Sequence, residues 1–141
     1  MQYLLLIYTD EKQWAKQSEA ERSAMLQEYT NFSQSVARSG HLRGGNELHP
    51  TSKALTVRVR NKKQALTDGP FAETKELIAG FWLWKVKSKE EAIEWLKRAP
   101  FGGGTEVEIR QVFEAEDFGP ALTPELRKKE EQLRSSIAKR S

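Results

Sequence analysis

No cysteine occurs among the 141 residues, and that one absence removes disulfides, thiol nucleophiles and thiolate metal sites together. Histidine is nearly as scarce, with only His41 and His49. Neither has a carboxylate or a second imidazole three or four residues away, so the sequence offers no metal template. Dinucleotide and Gly-x-Ser-x-Gly fingerprints are missing too. Gly102-Gly103-Gly104 lacks the Lys and the following helix of a phosphate loop, and reads as a flexible turn. No cofactor is therefore expected. Long hydrophobic runs are also lacking. Met1 to Tyr8 is apolar but too short to cross a bilayer, and it has neither the basic start nor the small-residue cleavage site of a signal peptide. The expected location is the cytoplasm, with no membrane partner.

Net charge is low as well. The formal +3 comes from residues 121–141, where six basic side chains face three acidic ones; over 1–120 there are seventeen of each. A neutral body argues against a broad phosphate-binding face, so nucleic acid is not an expected partner. The basic tail has no aromatic residue to stack on bases or to sit in a membrane interface. What remains is an ordinary apolar share of 38% in a chain long enough for one buried core.

Taken in order, the chain alternates strand and helix signals. Gln2 to Tyr8 is apolar on both faces, as in a central strand. Ser18 and Glu21 form a capping box, and Met25, Tyr29, Phe32 and Val36 trace one helical stripe that Gly40 ends. His41 follows that helix end and is expected only to interact with it. His41 to Pro50 reads as a loop or an irregular strand. Leu55, Val57 and Val59 alternate with Thr56, Arg58 and Arg60, which predicts a half-buried strand; Asn61-Lys62-Lys63 turns it into a short return strand over 64–67. Phe81 to Val86 is again apolar on both faces. A second capping box, Ser88 with Glu91, opens a helix carrying Ala92, Trp95, Leu96 and Ala99 inward, and Pro100 stops it. Val107 and Ile109 mark a last strand. Thr123-Pro124 opens a charged C-terminal helix.

The order β-α-β-β-α-β predicts an α+β, ferredoxin-like split β-α-β unit over 1–113, with a linker and an extra C-terminal helix over 114–141. In that topology the first and third main strands are central, which fits their two apolar faces. Both helices then cover one face of the sheet. Either the Trp82, Trp84 and Val86 set or the Phe81 and Leu83 set is left facing water, and a second copy is the expected cover. Trp82, Trp84, Tyr8 and Tyr29 are the aromatics that would line a cavity between the sheet and its copy, or equally a packed core.

The densest cluster of unusual residues is Asp68-Gly69-Pro70-Phe71-Ala72-Glu73-Thr74-Lys75-Glu76. Gly69 tolerates positive φ, Pro70 fixes its own φ, and Asp68 is able to bond turn N–H groups. Read structurally, Asp68 caps a turn, Phe71 plugs a core and the charges are solvated. The string resembles the signature of the YCII-related family, often called the DGPF-domain family. Met1 to Tyr8, Gly44-Gly45 to Pro50, and Gly80-Phe81 are similar to that family too, so the resemblance spans 1–113. It implies a ferredoxin-like fold that pairs into a dimeric α/β barrel, with Asp68 as the motif Asp. Members of the wider family carry an Asp and a His proposed as an active pair. His49, just before Pro50 in the loop that precedes the edge strand, is the candidate here; elsewhere in the superfamily the His lies on the first helix, which has none in this chain. Some members are encoded beside alternative sigma factors.

Two function classes follow. One is a homodimeric enzyme acting on a small organic molecule. Asp68 is then the acid/base or orienter, His49 its partner, Gly69, Pro70 and Phe71 the wall, and Lys75 or Arg58 the positive charge for an anionic ligand. The other is a non-catalytic ligand-binding or regulatory interaction module. Asp68 and His49 converging in a pocket would favour the first. Asp68 spent on turn bonds, with His49 in solvent, would favour the second.

Overall fold

The computed structural model describes residues 1–70 and 76–140; Phe71 and Lys75 lie outside the described residues. Residues Met1–Gln111 form one compact unit and Val112–Ser141 a second.

In the first unit, β1 (Gln2–Asp10) leads into a short helix α1 (Glu11–Lys16) and the long helix α2 (Glu19–Arg38). The sequence reading missed α1. Its start is set by Asp10, whose carboxylate accepts from the Lys12 amide at 2.8 Å. The capping box of α2 is present: Ser18 Oγ accepts from the Glu21 amide at 3.2 Å, and Glu21 Oε2 accepts from the Ser18 amide at 2.7 Å. The Ser18 amide and then the Ser18 hydroxyl, which donates to the same Glu21 Oε2 at 2.9 Å, hold the Glu21 carboxyl below the usual carboxylate range. At the other end Gly40 has φ +80°, its amide reaches Ala37 O and the His41 amide reaches Val36 O. That is a Schellman closure, and only glycine enters it without strain.

Next come β2 (Leu42–Glu47), β3 (Leu55–Arg60), β4 (Lys63–Asp68), β5 (Glu76–Lys85), α3 (Lys89–Leu96) and β6 (Glu106–Gln111). The main sheet is antiparallel in the order β2-β5-β1-β6. The two strands read as apolar on both faces, β1 and β5, are its central pair. This is the strand order of a ferredoxin-like split β-α-β unit.

The second strand of the sheet is where the sequence reading fails. It assigned 55–59 to the sheet edge and left 41–50 irregular. The edge is instead β2, carrying Gly44 and Gly45, while β3 and β4 pair with each other as a separate two-stranded hairpin. Glycine has poor strand propensity, which hides β2. Its presence has a steric cause. A Cβ at Gly45 would lie 2.6 Å from Trp82 Cδ1 and 2.8 Å from the Phe81 carbonyl oxygen. Trp82 demands the glycine. The hairpin turns on Asn61 (φ 50°) and Lys62 (φ 61°), two left-handed residues in a row, which is the type I′ geometry. Leu55, Val57 and Val59 are exposed, not half-buried, and so is Leu66, because the hairpin joins no third strand among the described residues.

Strand alternation divides the main sheet. Tyr3, Leu5, Ile7, Trp82 and Trp84 face α2 and α3 and pack with Phe32, Val36 and Ala92; Leu5, Val36 and Trp84 are fully buried. The rings of Trp82 and Trp84 stack at 5.5 Å, with Phe32 5.4 Å and Tyr29 5.9 Å from Trp82. The opposite face carries Leu4 opposite Leu83 and Leu6 opposite Phe81, all partly exposed. So the open set is Phe81 and Leu83. Trp82, Trp84 and Tyr29 belong to the helix-side core, while Tyr8 alternates with it onto the open face and donates to Glu108 Oε2 at 2.9 Å. The four aromatics therefore do not line one cavity.

At α3, Ser88 Oγ accepts from the Glu91 amide at 3.1 Å, but Glu91 reaches back to the Lys87 amide and not to Ser88. The second unit holds a 3-10 segment, Ala115–Ala121, and helix α4 (Pro124–Ala138), which starts at Thr123 as expected. Phe113 and Phe118 meet edge to face at 5.2 Å. Arg127 Nη1 donates to Glu116 Oε1 at 3.1 Å and holds that carboxyl down, after the bond from its own backbone. Leu126, Leu133 and Ile137 are exposed. Among the described residues, no helix is long and apolar enough to cross a membrane.

Candidate functional site

Two connections build the region around Asp68. The first is the 48–54 loop. Leu48 still belongs to the sheet, its amide donating to Ala79 O at 2.7 Å. His49 and Pro50 then leave it. Thr51 is clamped by one carboxylate: its amide donates to Glu11 Oε1 at 2.7 Å and its hydroxyl to Glu11 Oε2 at 2.8 Å. Glu11 opens α1, directly after β1, so the loop is tied to the end of a central strand. Charge-assisted bonds of this kind are the stronger class.

The second connection is the turn after β4. Asp68 is its last strand residue and pairs with Leu55. Gly69 has φ +99°, a value that glycine tolerates. Its amide donates to Ala54 O at 2.8 Å, and its carbonyl accepts from Thr56 Oγ1 at 2.7 Å. The turn is thus closed by Ala54 and Thr56. Asp68 takes no part: among the described residues its carboxylate has no hydrogen bond and no ion pair, and it is exposed.

The Ala54–Gly69 bond joins the two connections into one loop cluster. It does not join their side chains. His49 is exposed and has no side-chain hydrogen bond among the described residues, to Asp68 or to anything else. Arg58 is placed on the other side of the hairpin. In an antiparallel ladder, opposite residues share a face, so Asp68 lies with Leu55, Val57 and Val59, and Arg58 lies with Thr56 and Ala65. Gly69 and Pro70 follow Asp68 directly. Phe71 and Lys75, the remaining wall and charge candidates, lie outside the described residues.

A concavity of about 320 Å³ lies elsewhere, along β2 and α2, lined by Ser33, Leu42, Arg43, Gly44, Gly45 and Trp82. It is open and shallow, and the Arg43 guanidinium is turned to the carbonyls of Gly40 (2.8 Å) and Leu42 (3.0 Å). Nearby, Tyr29 has its phenol pushed up to about 12, first by burial and then by the Glu47 carboxylate. It stays protonated at neutral pH and is not a base there.

The other histidine has more partners than the sequence suggested. His41 Nδ1 lies 2.7 Å from Ser39 Oγ, at the C-cap of α2, and Nε2 lies 3.4 Å from Glu91 Oε1. Trp95 meets the ring edge-on at 5.5 Å. This row has the residue types of a hydrolytic triad but not its proton arrangement. A serine hydroxyl has one hydrogen, and Ser39 donates it to Val36 O at 2.7 Å. With that hydrogen on Val36 O, the Ser39 oxygen is left to accept from His41 Nδ1–H. His41 ties α2, β2 and α3 together. The carboxylate partner comes from another helix, 50 positions along the chain, so no spacing in the sequence announces it. Among the described residues, no cluster of three or more His, Asp or Glu is placed to hold a metal.

The chain matches the YCII-related domain over residues 1–116. It is also similar to an uncharacterized protein of Rhizobium meliloti (strain 1021), 32% identical over 97 residues that span 69% of this chain and 78% of that protein. The ferredoxin-like sheet, the glycine-demanding Trp82 and the Asp68-Gly69-Pro70 turn all fall inside the matched region. This chain belongs to the YCII-related family.

Proposed function

We propose that this chain is a homodimer that binds a small polar organic molecule through the Asp68 carboxylate, on the strip where the 48–54 loop meets the 68–70 turn. The observation that carries the reading is that, among the described residues, Asp68 closes no bond of its turn. The turn closes through Ala54 and Thr56 without it, and its side chain is left exposed and unpaired among the described residues. A carboxylate so placed suits ligands that offer hydrogen-bond donors or positive charge. The dimer is supported by the partly exposed apolar row Leu4, Leu6, Phe81 and Leu83 on the face of the sheet turned away from α2 and α3.

The test compares wild type with Asp68→Asn in a thermal-shift screen of small amines, polyols and carboxylates. The expected result is unchanged stability without ligand, and loss in the variant of the shift given by amine or polyol hits. A hit retained by Asp68→Asn argues against the site. So does an Asp68→Asn variant destabilised by more than about 1 kcal/mol, which would make the residue structural. Acid–base chemistry by Asp68 with His49 is a second reading, favoured by the Ala54–Gly69 bond that unites their segments. It requires turnover of a binding hit to fall in both Asp68→Asn and His49→Gln.

A further inference from the structure

Arg43 is the extra residue of a β-bulge. The β2 register passes from Leu42 opposite Trp84 to Gly44 opposite Leu83, and Arg43 is left without a partner on β5. A bulge re-aims the side chain it carries. Here the guanidinium turns back to the end of α2, where Nη1 donates to Gly40 O at 2.8 Å and to Leu42 O at 3.0 Å. Those two bonds use both hydrogens of Nη1. The Nε and Nη2 edge is a pair of parallel N–H groups that suits bidentate binding of a carboxylate. Among the described residues that edge has no hydrogen-bond partner, and no acidic side chain pairs with Arg43. The positive charge is held in place and left without a counter-charge there.

The same arginine lines the concavity of about 320 Å³ along β2 and α2. Leu42 and Trp82 add apolar lining, and Ser33 brings a hydroxyl with no hydrogen bond among the described residues. Gly44 is a second, independent sign. Trp82 dictates glycine at 45, but a Cβ at Gly44 would meet no atom within 4 Å, and its φ is outside the left-handed region. Neither packing nor backbone conformation asks for glycine at 44. A glycine inside a strand, with no such cause, marks a place where another group approaches the backbone closely. We infer that this concavity binds a small organic carboxylate with an apolar body. The carboxylate seats on the Nε and Nη2 edge of Arg43, with the Ser33 hydroxyl as a further donor. The body lies against Leu42, Trp82 and the bare Gly44-Gly45 backbone, in the mix of apolar lining and few polar groups that small-molecule sites use. The Glu47 carboxylate, which would repel such a ligand, is at the far end of β2 and acts on Tyr29. The site shares no residue with the Asp68 strip, so the two proposals stand or fall separately.

The test follows amide and indole N–H resonances of the full chain by NMR during titration with benzoate, and with benzamide as a neutral control of the same shape. The titration runs to about 20 mM, well past a Kd of about 1 mM. Benzoate should move the Gly44 and Gly45 amides and the Trp82 indole along saturating curves, and benzamide should leave them in place. Arg43→Gln should weaken benzoate by about tenfold or more, with the rest of the spectrum unchanged. Because Arg43 also bonds the end of α2, Ser33→Glu is the second variant. It leaves the bonds of Nη1 intact and offers the free edge an internal carboxylate, so benzoate should no longer move Gly44 and Gly45. Benzoate that moves none of the three resonances overturns the site. So does benzamide that moves them equally, or either variant binding benzoate as tightly as wild type.

Discussion

Gly45→Ala is the substitution for which the structure gives the sharpest expectation. The added methyl would stand 2.6 Å from Trp82 Cδ1 and 2.8 Å from the Phe81 carbonyl oxygen. Carbon atoms rest at about 3.5–4.0 Å, so roughly 1 Å must be found. Phe81 cannot supply it, since its backbone is paired with Asn46 on one side and Leu6 on the other. Trp82 cannot swing away, being 7% exposed and held by Trp84, Phe32 and Tyr29. Overpacking of a filled core costs about 1–3 kcal/mol, and the absence of slack points to the upper half of that range. Loss of backbone freedom in the unfolded chain returns about 0.4–1 kcal/mol. The net expectation is a loss of about 2 kcal/mol. Gly44→Ala is the internal control: a Cβ there meets no atom within 4 Å, and it should be neutral or slightly stabilising. Urea denaturation followed by tryptophan fluorescence, at one protein concentration, measures both. With a slope of about 1–3 kcal/mol per molar, the two midpoints should differ by roughly 1 M. Midpoints that coincide would refute the claim that Trp82 dictates glycine at 45.

Two other expectations come from single contacts. Glu11→Ala removes both bonds to Thr51. It should cost about 1–2 kcal/mol and speed hydrogen exchange at the Thr51 amide at least tenfold, and an unchanged exchange rate would mean that the loop is held by something else. Tyr29 supplies a pH dependence. Its phenol is raised from 10.0 to about 12 in the fold, so its contribution is intact below pH 10 and disappears as pH rises towards 12. The ring is only partly buried, so the contribution is about 1–2 kcal/mol after allowance for solvent screening. Wild type should therefore lose more stability than Tyr29→Phe between pH 10 and 12, and parallel losses would remove Tyr29 as the cause.

Local periodicity was enough for the sequence to specify the capped helix α2, the central strands β1 and β5, the closing glycine at 40 and the start of α4. Each of those signals is carried by residues within a turn or two of one another. From the central strands and the helix count the ferredoxin-like order followed. The sequence also located the Asp68-Gly69-Pro70 turn, because Asp, Gly and Pro have conformational preferences that need no partner.

Decisions made between distant residues were not legible. Gly44-Gly45 looks like a loop until Trp82 is known to press against it. Leu55, Val57 and Val59 look half-buried because alternation reports which side chains share a face, not whether that face has a neighbour. Arg58 and Asp68 were assigned to one site on their charges, and the register put them on opposite sides of a ribbon. His49 and Asp68 were brought into one loop cluster, with no hydrogen bond between their side chains among the described residues. A chain thus encodes its own local shapes through backbone and side-chain preference, while pairing, coverage and the meeting of functional groups depend on contacts that exist only once remote segments pack.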